Sequence, residues 1–164
     1  MRLYLIRHAY AGEHGDPRYP DDSLRPVTSR GKKDFTRLVK WLVGRDACAP
    51  QVLGTSPYLR CVQTAELLAD RLSDDTQVQP VPQFEPGATV ADVLGWLATQ
   101  PHEELAYVGH APDIEHIAAG LLGTNTGSMR FPKGAIMALD LEWADPPNSP
   151  SATLRWLITP KLLG

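Results

Sequence analysis

The sequence predicts an α/β fold: a three-layer α/β/α sandwich around a mostly parallel mixed sheet that closes with a C-terminal antiparallel hairpin. Three observations carry this. Short apolar runs alternate four times with segments of helical periodicity. The C-terminal part then switches to two stretches with a period of two. No repeat or linker interrupts the 164 residues, so residues 1–164 are expected to form a single domain with a core of ordinary size.

The strand candidates in the first part are Leu3–Ile6, Gln51–Thr55, Gln77–Val81 and Leu105–Val108. Each is followed by a helical stripe. Phe35, Leu38, Val39 and Leu42 recur at i, i+3, i+4 and i+7, with Thr28 and Ser29 as caps and Gly44 as a stop. Cys61, Ala65, Leu68 and Leu72 form the second stripe. Val90, Val93, Leu94 and Leu97 form the third, capped by Thr89. Ile114, Ile117, Ala118 and Leu121 form the fourth, begun by Pro112 and closed by Gly123. Strand–helix alternation of this kind favours right-handed crossovers and parallel pairing. Ala135, Met137, Leu139, Leu141 and Trp143 alternate with other residues, and so do Ala152, Leu154, Trp156 and Ile158, across the loop at 144–151. These two runs read as a hairpin added to the parallel part.

Composition narrows the function. Hydrophobic residues make up 43% and charged residues 21%, as in a folded globular chain. The net charge of −3 argues against a nucleic-acid coat protein, although a local basic pocket is compatible with it. Two cysteines, Cys48 and Cys61, are too few for a disulfide framework and fit a reducing compartment. No apolar run approaches membrane-spanning length, and Arg7 and His8 interrupt the N-terminal one too early for a signal peptide. A soluble cytoplasmic protein, with neither membrane nor nucleic acid as a partner, is the expectation.

The chemistry gathers at strand ends. The first strand runs into Arg7-His8. The second runs into Thr55-Ser56-Pro57, with Arg60 in the first turn of the next helix, and the fourth into Gly109-His110. Carboxyl ends of parallel strands converge on one sheet edge, where open α/β folds place their ligands. Arg7, His8, Arg60 and His110 can therefore meet in one pocket although far apart in sequence. Arginine forks match phosphoryl oxygens, and helix N-termini near Pro57 and Pro112 add positive dipole ends. The constellation describes an anion pocket, best suited to phosphate. One histidine at a strand tip would carry little; the pattern recurs at three tips.

Other chemistries fit less well. There is no G-x-x-x-x-G-K-[ST] loop, no G-x-G-x-x-G, no Cys-x5-Arg cradle and no G-x-S-x-G elbow around Ser56. His8, His14, Asp16, His110, Asp113 and His116 are candidate metal ligands by type, but lack His-x3-His or His-x-His spacing, and arginines would repel a cation beside them. No metal and no cofactor are expected.

Four segments resemble a known family. Leu5-Ile6-Arg7-His8-Ala9 resembles the Arg-His-Gly signature of the histidine phosphatase superfamily, the phosphoglycerate-mutase-like fold. Leu24-Arg25-Pro26-Val27-Thr28-Ser29-Arg30-Gly31 resembles its R-P-L-T-x-x-G segment, and Ser56-Pro57-Tyr58-Leu59-Arg60-Cys61-Val62-Gln63-Thr64-Ala65-Glu66 its S-P-x-x-R-A-x-Q-T-A-E segment. Val108-Gly109-His110 resembles the V-x-H that supplies a second histidine. The short chain is most similar to SixA-type phosphohistidine phosphatases. The resemblance implies a metal-independent phosphatase in which His8 is the nucleophile and becomes transiently phosphorylated. It implies that Arg7, Arg60 and His110 hold the phosphoryl oxygens, with Arg25 and Ser56 as further phosphate- or substrate-binding candidates. It further implies a hydrogen bond from the other ring nitrogen of His8 to a backbone carbonyl, for which Gly12 is one candidate.

Two departures stand out. Ala9 replaces the signature glycine, which would cost about 1–2 kcal/mol if the backbone there needed a positive φ. At the position of the family's acid after the third strand, one register places Gln83, leaving Glu85 as the candidate proton donor. A missing acid favours phosphohistidine, whose imidazole leaves more easily than an alkoxide. The expected partner is thus a phosphorylated protein, such as a histidine phosphotransfer domain. The alternatives are a small-molecule phosphomonoesterase and a non-catalytic phosphate-binding module. The polar loop with Glu13, Asp16, Arg18, Asp21 and Asp22 and the cluster Arg30, Lys32, Lys33 and Arg37 read first as solvated surfaces.

Overall fold

The computed structural model describes residues 1–144 and 149–164. Its elements follow the order β1 (Arg2–Arg7), α1 (Ser29–Val43), β2 (Val52–Thr55), α2 (Leu59–Ala69), β3 (Gln77–Pro80), α3 (Val90–Leu97), β4 (Glu104–Gly109), α4 (Asp113–Leu122), β5 (Ile136–Glu142) and β6 (Ser151–Ile158). Short 3-10 turns lie at Asp22–Leu24, Pro82–Phe84 and Pro160–Leu163. Residues 145–148 of the expected loop at 144–151 lie outside the described residues.

One six-stranded sheet has the order β3-β2-β4-β1-β5-β6. β3, β2, β4 and β1 pair in parallel, β5 adds antiparallel to β1, and β6 antiparallel to β5. This is the predicted mixed sheet with a terminal hairpin. Alternate residues of β1 serve opposite layers, as a pleated strand requires. Leu3 and Leu5 pack with α3 and α4 through Val93, Leu97, Ile114 and Ile117. Tyr4 and Ile6 pack with α1 and α2 through Phe35, Leu38, Cys61 and Leu68. Both faces are covered, so β1 and β4 read as continuous apolar runs rather than alternating ones.

The helix boundaries have local causes. The Thr28 hydroxyl accepts from the Gly31 amide to start α1. Thr89 and Asp92 form a reciprocal capping box on α3. Gly123 ends α4 with φ at 65°. Two expectations change. Leu72 lies beyond the end of α2, which stops at Ala69. The regular alternation expected over β6 is broken by a bulge opposite Ala138 and Leu139. The extra residue, Arg155, sends Ala152 and Leu157 to the α3–α4 layer and Trp156 and Ile158 to the α1–α2 layer. Among the described residues no helix is long and apolar enough to cross a membrane.

Candidate active site

The strand register builds the site. Arg7 lies opposite Gly109 in the β1–β4 pair, and the His8 amide continues the ladder by donating to the Gly109 carbonyl at 3.1 Å. Thr55 lies opposite Val108, and the Ser56 amide donates to the Val108 carbonyl at 2.9 Å. β1, β2 and β4 therefore end at one level and deliver His8, Ser56 and His110 to a common edge. The two imidazoles meet edge to face, with centroids 5.6 Å apart. Arg60 enters from the first turn of α2 and places Nη2 3.5 Å from His110 Nδ1. His8, Arg60 and His110 are thus clustered and each buried, and the Arg7 charge acts on both histidines.

The tautomers follow from the partners. His8 Nδ1 lies 2.8 Å from the Ala9 carbonyl, which can only accept, so Nδ1 carries the proton and Nε2 keeps its lone pair. The carbonyl partner is that of Ala9 rather than Gly12. The next peptide is already in place at the strand end, whereas the Gly12 carbonyl accepts from Arg25 and Lys133. Burial, opposed by the Ala9 bond and reinforced by the Arg60, His110 and Arg7 charges, holds His8 well below its ordinary pKa. A neutral ring with a free Nε2 is a nucleophile at neutral pH. For His110, an arginine can only donate, so Nδ1 is the acceptor and Nε2–H donates to Ser56 Oγ at 2.8 Å. Burial and the Arg60 charge lower its pKa to about 4.

Ala9 takes an ordinary backbone conformation, since among the described residues Asp46 is the one non-glycine with positive φ. The anticipated strain is absent. The Ala9 amide donates to Thr64 Oγ1 at 2.9 Å, and the Thr64 hydroxyl donates to the Arg60 carbonyl at 2.7 Å. Thr64 therefore ties the loop after His8 to the turn that carries Arg60.

Arg60 and Arg25 share Asp22. The Arg60 fork donates to the Asp22 carbonyl at 2.8 Å and to its carboxylate at 3.0 Å. Arg25 Nε donates to the same carboxylate at 2.8 Å, and its Nη1 to the Ala11 and Gly12 carbonyls. The Arg25 and Arg60 contacts pull the Asp22 carboxyl down to about 2. Arg25 thus organises its own loop. Arg7 donates to the Phe131 carbonyl at 2.5 Å, which fixes β1 to the turn before β5. The Nε atoms of Arg7 and Arg60 are buried without a hydrogen-bond partner among the described residues. Tyr58 packs its ring against both His110 and the Arg60 guanidinium. Among the described residues neither α2 nor α4 has a side-chain hydrogen bond at its N-cap; backbone carbonyls instead accept from the amides of Cys61 in α2 and of Ile114 and Glu115 in α4.

Glu85 is exposed, as is Gln83, and among the described residues its side chain bonds to none of the clustered groups. Its segment does follow β3 along the same sheet edge, where the Gly87 amide donates to Asp113 at 2.8 Å. Asp22, Thr64 and Tyr58 were not picked out from the sequence as parts of the cluster. The one available signal was Asp22 three residues before Arg25, a spacing suited to an ion pair within a turn.

Comparison with known proteins decides the family. The model of the histidine phosphatase superfamily (branch 1) matches residues 3–85. The chain belongs to the histidine phosphatase superfamily. The phosphohistidine phosphatase SixA of Escherichia coli (strain K12) is 28% identical over 98% of this chain and 94% of that protein. An uncharacterized protein of Picosynechococcus is 32% identical over 85% of this chain and 84% of its own length. Among solved structures, the protein histidine phosphatase SixA complexed with tungstate superposes with a TM-score of 0.82 and 26% identity, covering 100% of both chains. This superfamily member is therefore a SixA-like phosphatase, a hydrolase.

Proposed function

We propose that this protein removes the phosphoryl group from phosphohistidine on a partner protein, such as a histidine phosphotransfer domain, through a phosphorylated His8. The observation that carries this reading is the commitment of His8 Nδ1–H to the Ala9 carbonyl, which leaves Nε2 free beside Arg60 and His110. Nε2 attacks phosphorus in line. The bond from phosphorus to the substrate nitrogen breaks, and that imidazole takes up a proton from solvent water as it leaves. Water then attacks phospho-His8, releasing inorganic phosphate and restoring the neutral ring. Arg7 and Arg60 carry the charge that spreads over the equatorial oxygens in both steps, and the His110 Nε2–H, which Ser56 Oγ accepts in this structure, turns to the phosphoryl group when the substrate displaces that bond.

Tungstate is an oxyanion, and the complex of SixA with it supports an oxyanion as ligand of this chain. The exposed position of Glu85 supports a substrate that needs little help from a protein acid. The buried unpaired thiols Cys48 and Cys61 fit the cytoplasmic setting expected from composition. The test is a phosphohistidine protein substrate with the wild type and His8→Ala. Wild-type turnover, a trapped phosphoryl group on His8 and complete loss in the variant are expected. Turnover that survives in His8→Ala overturns the mechanism. Sugar phosphates hydrolysed faster than phosphohistidine overturn the substrate.

A further inference from the structure

A second concave surface adjoins the catalytic edge. It is a cleft of about 640 Å³ between α1, the turn before β5 and the C-terminal 3-10 turn. Its floor exists because Gly31 lets α1 approach the backbone of Tyr10: a Cβ there would lie 2.1 Å from the Tyr10 carbonyl oxygen. Its walls carry Arg30, Arg37, Lys133 and Lys161 against a single acidic side chain, Asp34. Asp34 sits between two of these cations, 3.6 Å from each of Arg30 and Arg37, so it neutralises them only in part. Arg37 Nε is buried without a hydrogen-bond partner among the described residues, and Lys133 lies over the Tyr10 ring. The positive surface continues along α1 through Lys32, Lys33 and Lys40, which line a neighbouring hollow that shares Arg37. In a chain of net charge −3 this is a local reversal of sign.

Position gives the cleft a purpose. Ala9 and Tyr10, the two residues after His8, form part of its lining, and the Gly134 amide at its rim donates to the His8 carbonyl at 3.0 Å. The cleft therefore adjoins His8 along the chain, within reach of the flank of a macromolecule whose phosphohistidine enters there. We infer that the cleft is a docking subsite for an acidic segment of the phosphorylated protein substrate, an inference that rests on the function proposed above. The cations are spread along two walls with Asp34 between them. That spacing suits several separate carboxylates better than one compact phosphate, which needs donors converging on a point. Charge complementarity of this kind acts on encounter and orientation, and so on KM rather than kcat.

The test uses two phosphohistidine peptides, one flanked by glutamates and one by serines, with free phosphohistidine as the small substrate. Wild type is expected to show a KM about tenfold lower for the acidic peptide. In the double variant Arg30→Glu, Lys161→Glu, built at two exposed positions, that preference should vanish, with kcat and the kinetics on free phosphohistidine unchanged. Equal KM values for the two peptides in wild type, or a preference retained in the variant, would overturn the inference. A second arm works even if no phosphohistidine is hydrolysed, which would count against the proposed function alone. Binding of an unphosphorylated glutamate-rich peptide is followed through the backbone amide resonances of Tyr10, Gly31 and Gly134. Saturable shifts lost in the double variant support docking. Absent shifts, or tighter binding of inorganic phosphate at the same amides, refute it.

Discussion

His8 and His110 share burial and a cationic neighbourhood, yet their ring nitrogens are committed in opposite ways. The Nδ1–H of His8 is spent on a carbonyl, and that of His110 is absent because an arginine faces it. The residues that enforce this division are small. Thr64 bridges the Ala9 amide and the Arg60 carbonyl, and is itself fully buried. Thr64→Val keeps the shape and removes both bonds, leaving the Ala9 amide without a partner. A loss of about 1–3 kcal/mol is expected in denaturant titration, with kcat falling more than KM rises. An unchanged kcat would mean that Thr64 is structural only. Glu85→Gln tests the opposite case. Glu85 is exposed and touches none of the clustered groups, so phosphohistidine turnover should change by less than about twofold. A loss of a hundredfold or more would make Glu85 the proton donor and bring phosphomonoesters back as substrates. Sequence alone raised both Glu85 and Gln83 because register is ambiguous in a loop; the structure leaves both at the surface.

At the scale of elements, what could be read from sequence was what local physics writes. The helix starts at Thr28 and Thr89, the stop at Gly123 and the apolar runs of β1 and β4 all depend on near neighbours in the chain. The bulge in β6 was not legible, because it is a property of the pairing with β5 and leaves no mark on the alternation of Ala152, Leu154, Trp156 and Ile158. The Asp22–Arg60 pair was hidden for the same reason, spanning 38 residues. Arg7, His8 and His110 were visible because a charged or titratable residue at the tip of a buried strand violates burial rules unless a site needs it. Gly31 joins the local and distant terms. It lies inside α1, where glycine is otherwise unfavourable, and is kept there by the Tyr10 backbone pressing against it. Gly31→Ala should therefore destabilise despite its better helix propensity, by about 1–3 kcal/mol in thermal or urea unfolding. Because Tyr10 is two residues from His8, kcat should fall with it. A stabilised, fully active variant would show that α1 can retreat freely.

The whole molecule concentrates its titratable risk at one sheet edge, and this sets its response to pH. His110 titrates at about 4 in the folded chain, lowered by burial and by the Arg60 charge, with Arg25 and Arg7 acting the same way and Asp22 opposing. The unfolded chain binds a proton to the same ring near 6.5. Between those values the unfolded state holds more protons, so stability rises with pH through the window and is fully present above it. Acidification from 6.5 to 4 should cost on the order of 3 kcal/mol from His110. His8, also held below its ordinary value, adds to the loss in the same direction. Asp22, lowered to about 2, contributes a separate decline only below the ordinary carboxylate range. Urea titrations from pH 4 to 7.5 should thus show a steep rise in unfolding free energy that levels off near 7. His110→Asn should remove the His110 share of it and leave the His8 share, since the amide does not titrate and can still face Ser56. A slope unchanged by that substitution would place the controlling proton elsewhere. Stability starts to fall where the unfolded rings take up protons, near 6.5, whereas His8 in the folded chain keeps a neutral ring until the pH is well below that value, so the turnover proposed for His8 should outlast the first part of the stability loss.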